Sequence, residues 1–318
     1  MQHGIESKKT TMKHFQKHIT RRSALKIMGT TTIMSMFPIS GLINSSCTNK
    51  QKRIIFYFTG TGNSLNVARK LFGSDALLYS IPQMIKQKRL HFEADEIGFV
   101  MPTYRCAPPE IVKRFFAKIH LKANYTFAIL TYGMNHGNAV EMLEIPARRN
   151  GIRLDYINTF QTVDNYLLAF DMNEQMRMDK DEPGQLAKIK ADLRRRKHWH
   201  QPVTREEREG RAKFVKMRGE IFPVASEDYF VVSDQCIKCG ICTYVCPRGN
   251  WKLEQDKAMV SGNCEFCFAC IQNCPQKAIL FPDKKEDHLI MGGEKNPNAR
   301  YRNENISLAD LKNANNQL

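Results

Sequence analysis

The chain has 318 residues, enough for about two domains at roughly 100–200 residues each. Apolar residues make up 42% of it, which supports a buried core and argues against long-range disorder. The net charge is +16, but the basic runs, in the first 26 residues and between Lys188 and Arg218, are not interleaved with aromatics, which argues against a nucleic-acid platform.

Residues 20–26, Thr-Arg-Arg-Ser-Ala-Leu-Lys, resemble the twin-arginine export motif. A modestly apolar stretch follows over residues 27–43, broken by Pro38. A membrane span needs about 20 apolar residues, so this stretch reads instead as the apolar part of a signal over residues 1–47. Cys47 is a candidate lipid acceptor, although no aliphatic residue stands three positions before it; Met12 is an alternative start. The expected location is the periplasm or the outer face of the cytoplasmic membrane, with anchoring through the signal or a lipidated Cys47.

From residue 52 strands and helices alternate. A β-forming run at residues 54–58 leads into Thr59-Gly60-Thr61-Gly62-Asn63-Ser64 and a helix over 65–72. A strand, a small polar loop and a helix N-terminus make an anion site, because free N–H groups and the helix dipole face the ligand. There is no lysine for a P-loop, and Leu65 stands where a dinucleotide fingerprint needs its third glycine. Residues 59–64 resemble the flavodoxin phosphate motif, in which uncharged donors hold the FMN phosphate.

Further strands are expected at residues 76–81, 96–101, 125–131 and 154–163, with a helix over 110–120 opened by Pro108 and Pro109. Five strands with intervening helices predict a doubly wound parallel α/β sheet of order 2-1-3-4-5, spanning residues 52–200. Ligands of such sheets bind beyond the carboxyl ends of the strands. The flavodoxin resemblance implies that Pro102, Thr103 and Tyr104 after the third strand, and Tyr132 and Gly133 after the fourth, enclose the flavin ring, with Tyr104 stacked on it. Cys106 reads as a packed side chain rather than a redox partner, and His136 as a solvated loop residue rather than a flavin donor. Residues 183–222 read as helix, broken at Gln201-Pro202, with residues 201–228 as a connector. The Arg194-Arg195-Arg196-Lys197 run reads as a solvated helix face.

Eight of the ten cysteines lie between Cys236 and Cys274. Cys236, Cys239, Cys242 and Cys246-Pro247 form C-x2-C-x2-C-x3-C-P, and Cys264, Cys267, Cys270 and Cys274-Pro275 repeat it 28 residues later. Thiolate is the soft ligand that iron–sulfur clusters require, and in two-cluster ferredoxins the fourth cysteine of each run serves the other cluster. Cys236, Cys239, Cys242 and Cys274 are therefore assigned to one 4Fe–4S cluster, and Cys264, Cys267, Cys270 and Cys246 to a second. Zinc does not need the third cysteine and trailing C-P, and thiols this close cannot all pair as disulfides. Residues 251–253 and 258–260 predict a small hairpin inside an α+β ferredoxin domain over residues 229–285. Phe268 replaces the glycine found at Gly240 and is expected to shield its cluster from water.

Residues 286–318 form a polar tail, with Ser307 and Asp310 placed to cap one short helix. The whole resembles flavodoxin–ferredoxin fusion proteins over residues 52–285. The resemblance implies electron transfer between FMN and two 4Fe–4S clusters, with redox proteins as donor and acceptor and no nucleic acid. The rival expectation is a flavin-dependent reductase of a small substrate, fed by the clusters.

Overall fold

A computed structural model describes residues 52–218, 230–255, 257–281 and 294–318. The export motif, Met12, Cys47 and the end of the connector lie outside the described residues, which belong to one unit within Asn49–Leu318. In chain order the first half runs β1 (Arg53–Tyr57), α1 (Asn63–Phe72), β2 (Leu77–Ser80), α2 (Ile81–Met84), β3 (His91–Pro102), α3 (Glu110–Phe116), β4 (His120–Tyr132), α4 (Ala139–Arg149), β5 (Tyr156–Gln161), α5 (Met172–Arg177) and α6 (Glu182–Arg194). A two-residue strand β6 (Trp199–His200) and the helix α7 (Arg205–Arg218) follow.

The strands form one sheet in the order β2-β1-β3-β4-β5-β6, every neighbouring pair parallel. This is the expected flavodoxin-like order with one strand more than the five predicted. The sixth was missed because Trp199 and His200 carry no strand-length apolar run; the pairing with Tyr156 and Ile157 holds them. The register sets Phe56 beside Phe99, and Phe99 beside Ala128. α1 packs with α6, and α3 with α4, in two helical layers. The central strands are therefore buried on both faces and read as unbroken apolar runs. Phe56, Ile97, Phe99, Phe127 and Ile129 have no exposed surface.

The basic run at the end of α6 is exposed at Arg194, Arg195 and Arg196, as expected, but it also makes ion pairs. Arg196, at φ 48°, turns the chain toward β6 and bonds Glu96 and Asp95, each at 3.1 Å. Glu96 is buried, so the carboxylate needs this partner and Arg53 at 2.5 Å. Lys197 reaches the buried Asp192 at 3.3 Å.

The second half holds β7 (Val231–Val232), α8 (Ile241–Val245), β8 (Trp251–Leu253), β9 (Ala258–Val260), α9 (Ala269–Gln272) and β10 (Ile279–Leu280). The hairpin β8–β9 forms as predicted, and β7 pairs antiparallel with β10 to join the two ends of the module. Glu265 docks the module on the sheet domain. Its carboxylate accepts from the backbone N–H groups of Glu110 and Ile111, at 2.9 and 2.7 Å, and so caps α3, which has no side-chain cap of its own.

The tail ends in α10 (Leu308–Asn315), capped reciprocally by Ser307 and Asp310 as the sequence predicts. It is not a polar appendage. Ile306, Leu311, Ala314 and Asn315 are buried, α10 packs against both α2 and α8, and Asp310 pairs with Arg69 of α1 at 2.5 Å.

Candidate functional site

β1, β3, β4 and β5 all end at one edge of the sheet, and the loops that follow them converge there. They border a cavity of about 390 Å³, within the range of roughly 300–1,000 Å³ usual for small-molecule sites. Thr59, Gly60, Thr61, Asn63, Ser64, Pro102, Thr103, Tyr104, Tyr132 and Gly133 all line it. Gly62 does not. It adopts φ 104° and turns its Cα outward, against Ile306 and Asn303.

The loop over residues 59–64 is held by its own side chains. Thr59 Oγ1 accepts from the Gly62 N–H at 3.1 Å. Thr61 Oγ1 accepts from Asn165 Nδ2 at 2.6 Å, and Ser64 and Thr131 share a hydroxyl bond at 2.8 Å. As acceptors, Thr59 and Thr61 keep their own protons to donate. The start of α1 carries no side-chain cap, and its first turn has no acidic residue. A neutral, donor-rich cradle at a helix N-terminus suits a phosphate group.

Tyr104 opens a tight turn. Its N–H and C=O pair with Ala107, and the two residues between, Arg105 and Cys106, both sit at positive φ, 53° and 56°. Such a turn favours glycine or asparagine at these positions. The ring of Tyr104 lies edge-on to Phe58 at 6.3 Å. Burial, with Cys267 next, pushes its hydroxyl well above the ordinary tyrosine value. His136 is neither solvated nor on the cavity. It is buried, with Nδ1 against Gly137 O at 2.8 Å and Nε2 against Gln201 and Glu207.

Several lining residues escaped the sequence reading. The loop after β5 supplies Asp164, Asn165, Tyr166 and Phe170, and α7 supplies Arg211 and Phe214. The rule that ligands sit beyond strand ends applies to β5 as well and could have found the first group. The helix of α7 was expected, but nothing in the sequence placed it at the cavity. Asp164 accepts from the N–H groups of Met134 (2.9 Å) and Tyr166 (3.0 Å), and burial raises its carboxyl above the ordinary range. Phe266 and Phe268, which flank Cys267, also line the cavity.

The buried cysteines have other cysteines as charged neighbours. Burial pushes the Cys242 thiol up to about 12, with Cys239, Cys236 and Cys274 as its charged neighbours. Cys267 and Cys270 are raised by burial, with Cys246 their leading charged neighbour and Cys264 close behind. The two runs share one backbone plan. Lys238 and Phe266, then Gly240 and Phe268, adopt left-handed conformations at matching places, as do Gly249 and Lys277. The last thiol of each run accepts a backbone N–H four residues on: Cys246 from Asn250 at 3.3 Å, and Cys274 from Ala278 at 3.2 Å. Among the described residues no three His, Cys, Asp or Glu converge on a single metal ion.

Phe268 shows why glycine is usual there. At φ 58° it bears a cost of about 1–2 kcal/mol. In return it is 4% exposed and packs its ring against Phe266 and Phe281. In the second run Cys267 and Cys270 are buried and Cys264 is half-buried; in the first, Cys242 is buried and Cys239 is exposed.

Residues 229–275 match the family described as 4Fe-4S dicluster domain. No curated protein matches the chain. Among solved structures, the chain is similar to the Trp repressor binding protein from Bacillus subtilis, at 12% identity over 45% of this chain and 98% of that one, with a TM-score of 0.29. It is similar to rubredoxin oxygen:oxidoreductase from the anaerobe Desulfovibrio gigas, at 15% identity over 46% and 37%, with a TM-score of 0.28. The flavodiiron core of Flv1 from Synechocystis gives 15%, 46% and 37%, with 0.25. At these values the fold rests on strand order and register. Sheet and cysteine module together define a flavodoxin-like α/β domain fused to a 4Fe–4S module, an architecture for redox work.

Proposed function

We propose that the chain is an electron-transfer protein that passes electrons between FMN and two 4Fe–4S clusters. FMN would exchange electrons in pairs or singly, and the clusters singly. Thr59, Thr61 and the start of α1 would hold the phosphate; Tyr104 and the loops after β3, β4 and β5 would border the ring. Cys236, Cys239, Cys242 and Cys274 would hold the outer cluster, and Cys246, Cys264, Cys267 and Cys270 the inner one.

The observation that carries the reading is the contact between the modules. A β-carbon added to Gly60 would lie 2.7 Å from the carbonyl oxygen of Cys267. The phosphate loop thus touches the inner cysteine group, and Phe266 and Phe268, the neighbours of Cys267 in the chain, line the cavity. The outer group is the end open to a redox partner. Exposed Cys239 sits beside Ile237 and Leu253, which are 59% and 46% exposed. Such a surface suits a partner's apolar docking face.

The test is the full chain, purified without oxygen and reconstituted with iron, sulfide and FMN. Bound flavin and cluster EPR signals are expected, with flavin reduced through the clusters. A protein that keeps iron and no flavin would refute the reading. The alternative, a reductase of a small substrate, draws on Arg105, Cys106 and Arg211 at the same cavity. Turnover of an organic substrate with no protein acceptor would favour it.

Export through Arg21 and Arg22, to the periplasm or the outer face of the cytoplasmic membrane, is part of the proposal and rests on the sequence motif alone. A reporter fused after Cys47 should stay inside when both become lysine. Its continued export would remove that part.

A further inference from the structure

The tail crosses the outer side of the phosphate loop and bonds it at three places. The Asn303 N–H donates to Thr61 O at 2.9 Å. Asn315 Nδ2 donates to Thr59 O at 2.9 Å. Tyr301 OH and Asn303 Nδ2 both donate to Asn63 Oδ1, at 2.5 and 3.2 Å. The approach is close enough that a Gly62 β-carbon would lie 2.9 Å from that of Ile306.

These bonds orient the loop. In a trans peptide the C=O of one residue and the N–H of the next point in opposite directions. Pulling Thr59 O and Thr61 O toward the tail therefore turns the N–H groups of Gly60 and Gly62 away from it, into the loop. The Gly62 N–H is found there, on Thr59 Oγ1. Asn63, fixed through its Oδ1, sends Nδ2 to Thr162 Oγ1 and Val163 O. That ties the loop to the one after β5.

The same segment is anchored on the cysteine module. The Tyr301 N–H donates to Gln272 Oε1 at 2.7 Å, Arg302 reaches Asn273 Oδ1 at 3.4 Å, and Lys277 Nζ donates to Asn298 O at 2.5 Å. Gln272 and Asn273 lie between Cys270 and Cys274.

We infer that residues 301–315 are a strap that sets the phosphate loop in its binding shape, with Tyr301 as a positioning residue. The inference rests on the flavin reading above and adds to it a segment with no place in the cofactor motif. A strap of this kind acts on the phosphate and not on the ring, which supplies the test. Tyr301→Phe removes one hydroxyl and leaves the ring in place. In the full chain with its iron retained, the FMN dissociation constant should rise on the order of tenfold, which is about 1.4 kcal/mol. Riboflavin, which lacks the phosphate, should bind as before.

Equal weakening of FMN and riboflavin would overturn the strap and leave Tyr301 a general structural residue. An unchanged FMN affinity would also overturn it. If Tyr301→Phe loses iron, Asn303→Ala removes the second donor to Asn63 from a half-buried position, and the same comparison decides. An unmodified protein that binds neither flavin would refute the flavin reading itself, a result distinct from both.

Discussion

Changing Cys246 to alanine will empty the inner cluster and spare the outer one, although Cys246 closes the outer cysteine run in sequence. The chain explains the crossing. On the proposed assignment Cys236, Cys239 and Cys242, at the start of α8, hold the outer cluster. On the same assignment the turn at Pro247 carries the chain away, so that Cys246 joins Cys264, Cys267 and Cys270; Cys246 is the leading charged neighbour of Cys267 and Cys270. Iron should fall from about eight to about four per chain, since each cubane holds four. The surviving EPR signal should match that left by Cys264→Ala. Flavin reduction by an external donor should stop, because the inner site is the one that touches Gly60. Cys274→Ala should do the reverse and remove the same signal as Cys236→Ala. If Cys246→Ala and Cys242→Ala lose the same signal, the crossed assignment is wrong.

The two motifs were legible because each is local. Six residues between β1 and α1 specify an anion loop, and eight thiols at fixed spacing specify cluster geometry, whatever lies far away in the chain. Strand order was expected from the alternation of strands and helices, which reads as a doubly wound sheet. What the sequence did not show is how distant pieces meet. Glu265 reads as a filler between two cysteines until its carboxylate is found on the start of α3. Tyr301 and Asn315 read as tail residues until their donors are found on Asn63 and Thr59. Phe268 was expected to shield a cluster; in the structure it is buried against Phe266 and Phe281. That it also lines the cavity depends on how the two modules dock, which no local pattern encodes. The extra strand β6 failed for the same reason, being made by its neighbour and not by its own composition.

Gly60→Ala is expected to slow electron transfer between the two halves of the protein and to weaken FMN binding while the iron content holds. The new β-carbon would fall 2.7 Å from Cys267 O, 3.1 Å from Cys267 Cβ and 3.2 Å from the Tyr104 hydroxyl. Tyr104 can turn aside, but the Cys267 backbone carries a thiol held by its neighbours and cannot easily yield. Overpacking of this kind typically costs about 1–3 kcal/mol. The strain can be relieved by moving the loop, which loosens the phosphate cradle, or by moving the cysteine module off the sheet edge. Glu265 resists the second route, because lifting the module would leave its buried carboxylate without the Glu110 and Ile111 N–H groups. The loop should therefore give way. FMN should bind more weakly, the iron content should hold, and bound flavin should take electrons from the clusters more slowly. The comparison that isolates the contact is Gly73→Ala, at the end of α1, where an added β-carbon meets nothing within 4 Å. That change should reduce stability through its φ of 52° and leave flavin affinity and the transfer rate alone. Equal flavin binding and equal rates in Gly60→Ala and the unmodified protein would mean that the Gly60–Cys267 contact is incidental to the electron path.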